Sequence, residues 1–491
     1  MRRAALIACA SVLLAGCQVG PKYRRPSVPV APAYKEAPPA QFKEAQGWKP
    51  AQPGDSTIRP DWWETFGIPE LNELEAQVDV SNQTLRAAEA RFREARALVR
   101  LNRSNLFPAI STGPSISSNR IANSRAIGPA NGQFGDYVLP VDLTYELDAW
   151  GRIRRSIAAA REEAQATAAD LETIRLSLHA ELAIDYFELR SLDAQKQLLD
   201  ETLVAYQKAL DLTQNRFDGG LSSKVEVALA RTQLETARSQ DIGVGVARAQ
   251  YEHSIAILVG RTPETLSLPV VTLNLKPPDI PVGVLSQLIE RRPDIAAGER
   301  RVAEANEQIG IARAAFFPTL LITATGGFES GSFVDWLSWP NRFWAVGPSA
   351  LEILFDAGRR RAASEAATAG YDQTLANYVQ STLLAFQQVE DNLSTLRILE
   401  KQAAAQHVAV EAAEESLNLS LSQYKGGLVT YLQVVTAQTT AYQNEYTEVS
   451  MVNSSFRRTS PSAIRWDSGP PSSPGRFPDC SASAVVPSRS R

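Results

Sequence analysis

The sequence predicts an α+β membrane protein made of two copies of one unit, in which two strands precede a very long helix, a tight turn and a further helix. Three observations lead there: the chain repeats itself at a nearly constant offset, two segments of 67 residues contain no proline, and alternating polar and apolar residues precede each of them. With 491 residues, 21% charged and 44% apolar, the chain is also typical of a folded protein.

The first element is a leader at residues 1–16. Two arginines precede an apolar run that ends at Leu14, as in a secretory signal, and the run is too short to span a bilayer. Small residues then lead to Cys17, a pattern that resembles a bacterial lipoprotein signal and predicts an acylated N-terminus at Cys17. The alternative is an ordinary signal peptide with an incidental cysteine. Gln18, rather than an aspartate, favours the outer membrane.

Residues 17–60 form a proline-rich strap. Five prolines between Pro26 and Pro39 disfavour both a helix and a central strand. We therefore expect an extended segment that leads from the lipid to the folded body.

The body contains an internal repeat. Phe107-Pro108 returns as Phe317-Pro318, and Gly219-Gly220-Leu221 returns as Gly426-Gly427-Leu428. Asp148-Ala149-Trp150-Gly151-Arg152 similarly matches Asp356-Ala357-Gly358-Arg359 without the tryptophan. Matches in the same order predict two repeats, at 61–262 and 284–453, joined by a proline-rich linker at 263–283.

Each repeat contains one predicted helix of unusual length. Arg152–Asp218 has neither glycine nor proline, and Arg359–Lys425 has only Gly370. At 67 residues each would be about 100 Å long, far longer than a helix inside a compact domain. Taken alone, such helices are also compatible with a structural coiled-coil stalk.

The strands argue against a stalk. Apolar residues at 141, 143, 145 and 147 alternate with polar ones, and a second alternating segment begins at Leu320. The segments 109–120 and 343–354 give weaker signals. Each is close to the length of a tilted membrane-spanning strand.

Assembly follows from the strand count. Two strands in each of two repeats give four, fewer than the smallest membrane barrels contain, and a bilayer tolerates no open sheet edge. The chain must therefore oligomerise to insert among outer-membrane lipids, and a cyclic assembly of three identical copies would make a twelve-stranded transmembrane β-barrel.

At this point the chain resembles the TolC-like outer-membrane factor family, in particular its NodT-type efflux lipoproteins. The resemblance runs from Cys17 to about Val452 and rests on several short motifs in order. They are Gly20-Pro21-Lys22-Tyr23, Asp61-Trp62-Trp63, Arg292-Pro293-Asp294-Ile295, Phe316-Phe317-Pro318 and Leu354-Phe355-Asp356-Ala357-Gly358-Arg359.

The resemblance implies a homotrimeric barrel continued by a periplasmic α-helical barrel. It also implies an outer-membrane exit channel for small molecules in a tripartite efflux pump. The implied partners are a periplasmic adaptor, or membrane fusion protein, and an inner-membrane transporter of the resistance-nodulation-division type. The alternative is the outer-membrane channel of a type I protein-secretion system, which shares this architecture. A periplasmic adaptor fits less well, because this chain has two hairpins.

The resemblance also implies two functional regions at the helix turns. The adaptor-docking tips would be Gly219, Gly220, Leu221 and Ser222 in the first repeat and Gly426, Gly427, Leu428, Val429 and Thr430 in the second. Glycine pairs suit a tight reversal with positive φ, and the alternative is that they serve only to turn the chain. A periplasmic gate would be formed by Leu432 with Tyr431 nearby, and Thr436 stands where relatives often carry an acidic residue.

Several other activities find no support. Without the leader and residues 454–491, 42 Lys+Arg face 52 Asp+Glu, a net charge of about −10 that argues against nucleic acid as a partner. No phosphate loop or metal motif occurs, so neither an enzyme nor a cofactor is predicted. His179, His253 and His407 are expected to make surface or interhelical hydrogen bonds, and Asp294 to occupy the first turn of a helix.

The tail at 454–491 departs from the family pattern. It contains eleven Ser, six Pro and six Arg but no Leu, Glu, Lys or Gln, and Pro461 would interrupt the helix expected there. We interpret it as the product of a reading-frame shift, with a native disordered extension as the alternative.

Overall fold

A computed structural model describes residues 18–27, 61–120, 133–272 and 292–459. The leader, Cys17, most of the strap and the tail from residue 460 lie outside these ranges, as does the linker from residue 273 onward.

The helices dominate the chain. A 3₁₀ turn at Trp62–Phe66 leads into α1 (Pro69–Ser81) and α2 (Gln83–Ser104). The long helix α3 (Arg152–Asp218) and its partner α4 (Lys224–Leu258) complete the first repeat. The second repeat contains α5 (Pro293–Ala314), α6 (Arg359–Lys425) and α7 (Tyr431–Thr459).

Both long helices begin and end where the sequence predicts, and the repeated Asp-Ala motif explains the common start. Gly151 and Gly358 both have positive φ, at 80° and 86°, immediately before the first helical residue. The Asp148 carboxylate accepts from the amides of Ile153 (3.0 Å) and Arg154 (2.9 Å), so it caps the free N–H groups of α3. Asp356 bonds the Arg360 amide at 3.2 Å in the same way.

The strands form one antiparallel sheet in the order β1-β3-β4-β5, with β2 also paired to β3. The strands are β1 (Ala109–Thr112), β2 (Ser115–Arg120), β3 (Gln133–Leu147), β4 (Thr319–Ser330) and β5 (Arg342–Leu351). The weak segment at 109–120 is therefore a strand broken at Gly113-Pro114, and β3 extends well before the predicted start at residue 141.

The central pair β3–β4 joins the two repeats within this sheet, and Leu143 lies opposite Ala324 in its register. Within the described residues, β1 and β2 form one edge and β5 the other, and neither edge has a further strand beside it.

Helix α3 is the scaffold on which α1, α2, α4, α5 and α7 pack, while α6 packs on α5 and α7. A buried cluster joins it to the Trp62–Phe66 turn, α1 and the end of α4, and includes Trp63, Leu71, Leu182, Tyr186 and Ile255. Small residues allow close approach to the second repeat, where Ala169 meets Ala296 and Ala297. Among the described residues no helix combines the length and the apolar character needed to cross a bilayer.

A buried carboxyl–imidazole pair lies inside the first-repeat cluster. His179 Nδ1 is 2.7 Å from Glu75 Oε2, and the Trp63 ring stacks on the imidazole at 4.3 Å. Glu75 is fully buried, and this burial raises the pKa of its carboxyl to about 7. The expected interhelical role of His179 is thus confirmed, and His407 likewise contacts Glu448 of α7 at 2.9 Å.

We expect the first-repeat cluster to become less stable as the pH rises from 6 to 8. The folded chain holds a proton on Glu75 that the unfolded chain, with an ordinary glutamate pKa, has already released, so the free energy of unfolding should fall by about 1 kcal/mol. Glu75→Gln should remove most of this dependence, and the exposed Glu73→Gln on the same helix should retain it. Urea titrations in detergent at each pH would measure the free energy of unfolding of both variants. If this free energy fell with pH in Glu75→Gln as it does in the unmodified protein, the assignment would be contradicted.

Candidate channel tips and gate

The two glycine turns adopt the same backbone geometry. Gly220 and Gly427 have φ of 72° and 77°, which confirms the predicted left-handed reversal. The Leu221 amide donates to the Arg216 carbonyl at 2.8 Å, and the Leu428 amide donates to the Gln423 carbonyl at 2.9 Å. Both turns therefore close the final helical turn with equivalent hydrogen bonds.

The two tips expose apolar side chains. Leu221 is 73% exposed and Leu428 is 80% exposed within the single chain. Each leucine follows a left-handed glycine, so it projects from the turn instead of packing on its own hairpin. Ser222, Val429 and Thr430 complete the tips around these two leucines.

Three side chains fasten the first tip to the second, and we call Arg216, Glu226 and Tyr424 the tip latch. The Arg216 guanidinium lies 4.8 Å above the Tyr424 ring centre and donates to the Lys425 carbonyl at 3.2 Å. The Tyr424 hydroxyl donates to Glu226 Oε2 at 3.3 Å, and the Ser222 hydroxyl donates to the same carboxylate. Cation–π and hydrogen-bond contacts thus connect the ends of α3, α4 and α6.

The sequence reasoning missed the latch, although the repeat contained a signal for it. At the 207-residue offset, Arg216 corresponds to Gln423, Phe217 to Tyr424, and Glu226 to Gln433. The glycines match between the copies, while these three pairs do not. At these three positions the difference between the copies coincides with the contacts that join the two hairpins.

The predicted gate residues divide into one buried and two exposed side chains. Tyr431 is 1% exposed, and its ring centre lies 5.3 Å from that of Tyr424. Leu432 is 58% exposed, and Thr436, one turn further, is also exposed and donates to the Leu432 carbonyl at 3.0 Å. Tyr431 therefore lies on the buried side of the first turn of α7, while Leu432 and Thr436 lie on its exposed side.

The sheet has one polar and one apolar face, as the alternation predicts. On the polar face Ser111 lies opposite Asp142, and Asp142 accepts from the Thr325 hydroxyl at 2.5 Å. On the apolar face Leu143 pairs with Ile110, and Trp344 is 76% exposed. Such a sheet suits a wall between water and lipid.

A two-faced sheet that continues into two long hairpins with adjoining tips defines a class of elongated channel subunits. The sequence model of the outer membrane efflux protein family matches residues 76–261 and 284–454. These segments cover well over half of the chain. The chain belongs to the outer membrane efflux protein family.

Individual relatives agree with this membership. The toluene efflux pump outer membrane protein TtgF of Pseudomonas putida is 32% identical over 430 residues, covering 87% of this chain and 89% of the relative. The cation efflux system protein CusC of Escherichia coli is 27% identical over 443 residues, covering 89% and 93%. The solved outer-membrane channel OprN superposes with a TM-score of 0.82 at 28% identity, over 91% of this chain and 98% of OprN. The chain is accordingly an efflux channel protein of the outer membrane.

Weakening the tip latch should favour an open channel end. Tyr424→Phe removes a hydrogen bond between hairpins worth about 0.5–1.5 kcal/mol, which corresponds to a several-fold population shift, and Glu226→Gln weakens the same bond because the acceptor loses its charge. We expect higher single-channel conductance or open probability in planar lipid bilayers. Glu235→Gln is the matched control, because Glu235 is exposed on the same helix and pairs only locally with Arg238 at 2.8 Å. Equal behaviour of all three variants and the unmodified protein would contradict a latch.

Proposed function

We propose that three copies of the chain form a single channel, with a twelve-stranded barrel in the outer membrane and a periplasmic tunnel built from the long hairpins. The observation that carries this proposal is the open sheet, whose β1–β2 and β5 edges lack partners among the described residues. Neighbouring copies would supply those partners and satisfy the exposed backbone groups inside the bilayer.

The tunnel would complete a tripartite pump. The relatives are named as outer-membrane components of toluene, solvent and cation efflux systems, so small molecules are the proposed cargo. A periplasmic adaptor and an inner-membrane transporter, of the resistance-nodulation-division type, would deliver that cargo. Protein secretion has no comparable support, because none of these relatives is named for it.

Deleting the gene from the source bacterium tests this assignment. We expect a several-fold drop in the inhibitory concentration of toxic organic compounds or metal cations, with the set of secreted proteins unchanged. Restoring the full-length gene should restore resistance. Loss of secreted proteins with unaltered susceptibility would instead favour type I export.

We assign adaptor docking to the two exposed tips. Leu221 and Leu428 would insert between the helices of a partner hairpin, while the glycines allow close backbone approach. Leu432 and its symmetry mates would narrow the resting tunnel just beyond the tips. Buried Tyr431 would hold Leu432 in place, and Thr436 would line the same face without charge.

Conductance and cellular resistance should distinguish the gate residue from the docking residue. Leu432→Ala enlarges the constriction, so we expect conductance of purified trimers in planar bilayers to rise by at least twofold. Leu428→Glu should leave that conductance unchanged and reduce resistance in cells, because a charged tip opposes apolar docking. An unchanged conductance in Leu432→Ala would remove Leu432 from the gate, and full resistance in Leu428→Glu would remove Leu428 from the docking surface.

Acylation at Cys17 is proposed on the sequence pattern alone, because Cys17 lies outside the described residues. Labelling with radioactive palmitate should mark the protein, and Cys17→Ser should abolish the label.

A further inference from the structure

Residues Gln18 to Tyr23 lie in a groove on the folded body, although the composition of the strap predicts only an extended tether. The Val19 amide donates to the Trp150 carbonyl at 3.2 Å. A Cβ placed on Gly151 would meet Gln18 Cγ at 3.0 Å, so the strap passes tightly over the start of α3. The strap thus contacts the body at Gln18 and Val19.

A buried arginine holds the strap by its backbone. Arg155 of α3 is 2% exposed, and its Nε and Nη2 donate to the carbonyls of Val19 (2.7 Å) and Pro21 (3.2 Å). Its Nη1 pairs with Glu307 of α5 at 2.7 Å, which balances the buried charge. The guanidinium therefore binds the strap carbonyls on either side of Gly20 in a fixed geometry.

Two glycines make room for this contact. Gly20 has a φ of 109°, and a Cβ there would lie 2.7 Å from Gly310 Cα. A Cβ on Gly310 would overlap the Arg155 side chain. The groove accepts a glycine at this strap position and excludes larger residues.

The tyrosine of the strap closes the far end of the groove. The Tyr23 hydroxyl donates to the Glu299 carboxylate, and its ring packs on the cluster that contains Ile295 and Tyr378. Burial, together with the Glu299 carboxylate, raises the pKa of the Tyr23 hydroxyl, so it remains a donor. Asn306 adds a hydrogen bond to the Pro21 carbonyl at 3.4 Å.

Both repeats contribute to the groove. Trp150 and Arg155 come from the first repeat, and Glu299, Asn306 and Gly310 come from the second. Trp150 also lies at the end of the sheet that adjoins the helices, which we call the foot of the sheet. Its Nε1 donates to the Pro318 carbonyl at 2.8 Å, directly before β4. Its ring stacks on Phe317 at 4.8 Å.

We propose that this groove is a specific binding site for the peptide Gln18–Tyr23, which positions the lipid-bearing residue at the foot of the sheet. Arg155 is its main positioning residue. The lipid on Cys17, the residue directly before Gln18, would then attach the channel to the membrane next to this groove. This role rests on the proposed acylation of Cys17, whereas the docking itself does not.

Docking has a large effect on the reach of the anchor. If the strap of residues 18–60 were a flexible random chain, the root-mean-square distance between its two ends would be about 35 Å. With Gln18 to Tyr23 seated in the groove, that freedom is removed before the remaining strap begins. The anchor thus becomes part of the rigid body of the protein.

Tryptic cleavage after Lys22 tests the docking, because Lys22 is exposed while its neighbours are held. In the full-length protein in lipid nanodiscs we expect slow cleavage, at least tenfold faster in Arg155→Met and Gly20→Ala. Arg161→Met and Gly245→Ala are the matched controls: Arg161 is exposed on the same helix, and a Cβ on Gly245 meets nothing within 4 Å. Wild-type rates in folded Arg155→Met and Gly20→Ala would overturn the proposal.

A distance measurement supplies an independent readout. Spin labels at Lys22→Cys and Gln308→Cys, with Cys480→Ser and with labelled chains diluted into an excess of unlabelled chains before assembly, should give one narrow distance distribution that broadens when Arg155→Met is added. A broad distribution without that substitution would overturn the proposal. Gly20→Ala decides the matter if Arg155→Met fails to fold, since Gly20 lies on the strap. Bilayer conductance of the same samples reports the channel separately, so a failed docking site and a failed channel assignment remain distinguishable.

Discussion

The backbone hydrogen bonds at the two edges of the sheet impose the constraint on which the rest of the structure depends. A strand edge in a bilayer has no water to satisfy its N–H and C=O groups, so in the proposed channel β1–β2 and β5 pair with strands of other copies. The polar face with Asp142 and the apolar face with Leu143 already fix which side meets water. In the proposed channel, a single chain is therefore one segment of a closed wall.

In the same proposal, the helices extend that wall into the periplasm. Helix α3 follows β3, and helix α6 follows β5, each after an equivalent Asp-capped turn. The strands of each repeat therefore lead into one long helical hairpin. The duplicated turns at Gly220 and Gly427 bring two nearly equivalent ends together. The tip latch then breaks the equivalence, since Arg216 and Glu226 come from one repeat and Tyr424 from the other. A tunnel end held by such polar contacts can separate without unfolding the hairpins.

The sequence predicts the features that depend on local rules. The ends of α3 and α6 are encoded by glycines and by the Asp148 and Asp356 caps, so their bounds match the structure. Strand limits depend on pairing partners, and β3 starts earlier than expected because β2 reaches back to Gln133. The latch and the Arg155 groove join residues far apart in sequence, and no local periodicity marks them. The lipoprotein signal and the tail from residue 460 lie outside the described residues, and the interpretations of both remain predictions.

The central claim is that identical chains close one continuous sheet. A density map of the full-length protein in lipid nanodiscs tests it most directly. The account predicts three chains and a ring of twelve strands, with β5 of each copy paired to β1 and β2 of the next. A monomer or dimer with unpaired sheet edges inside the lipid would contradict it.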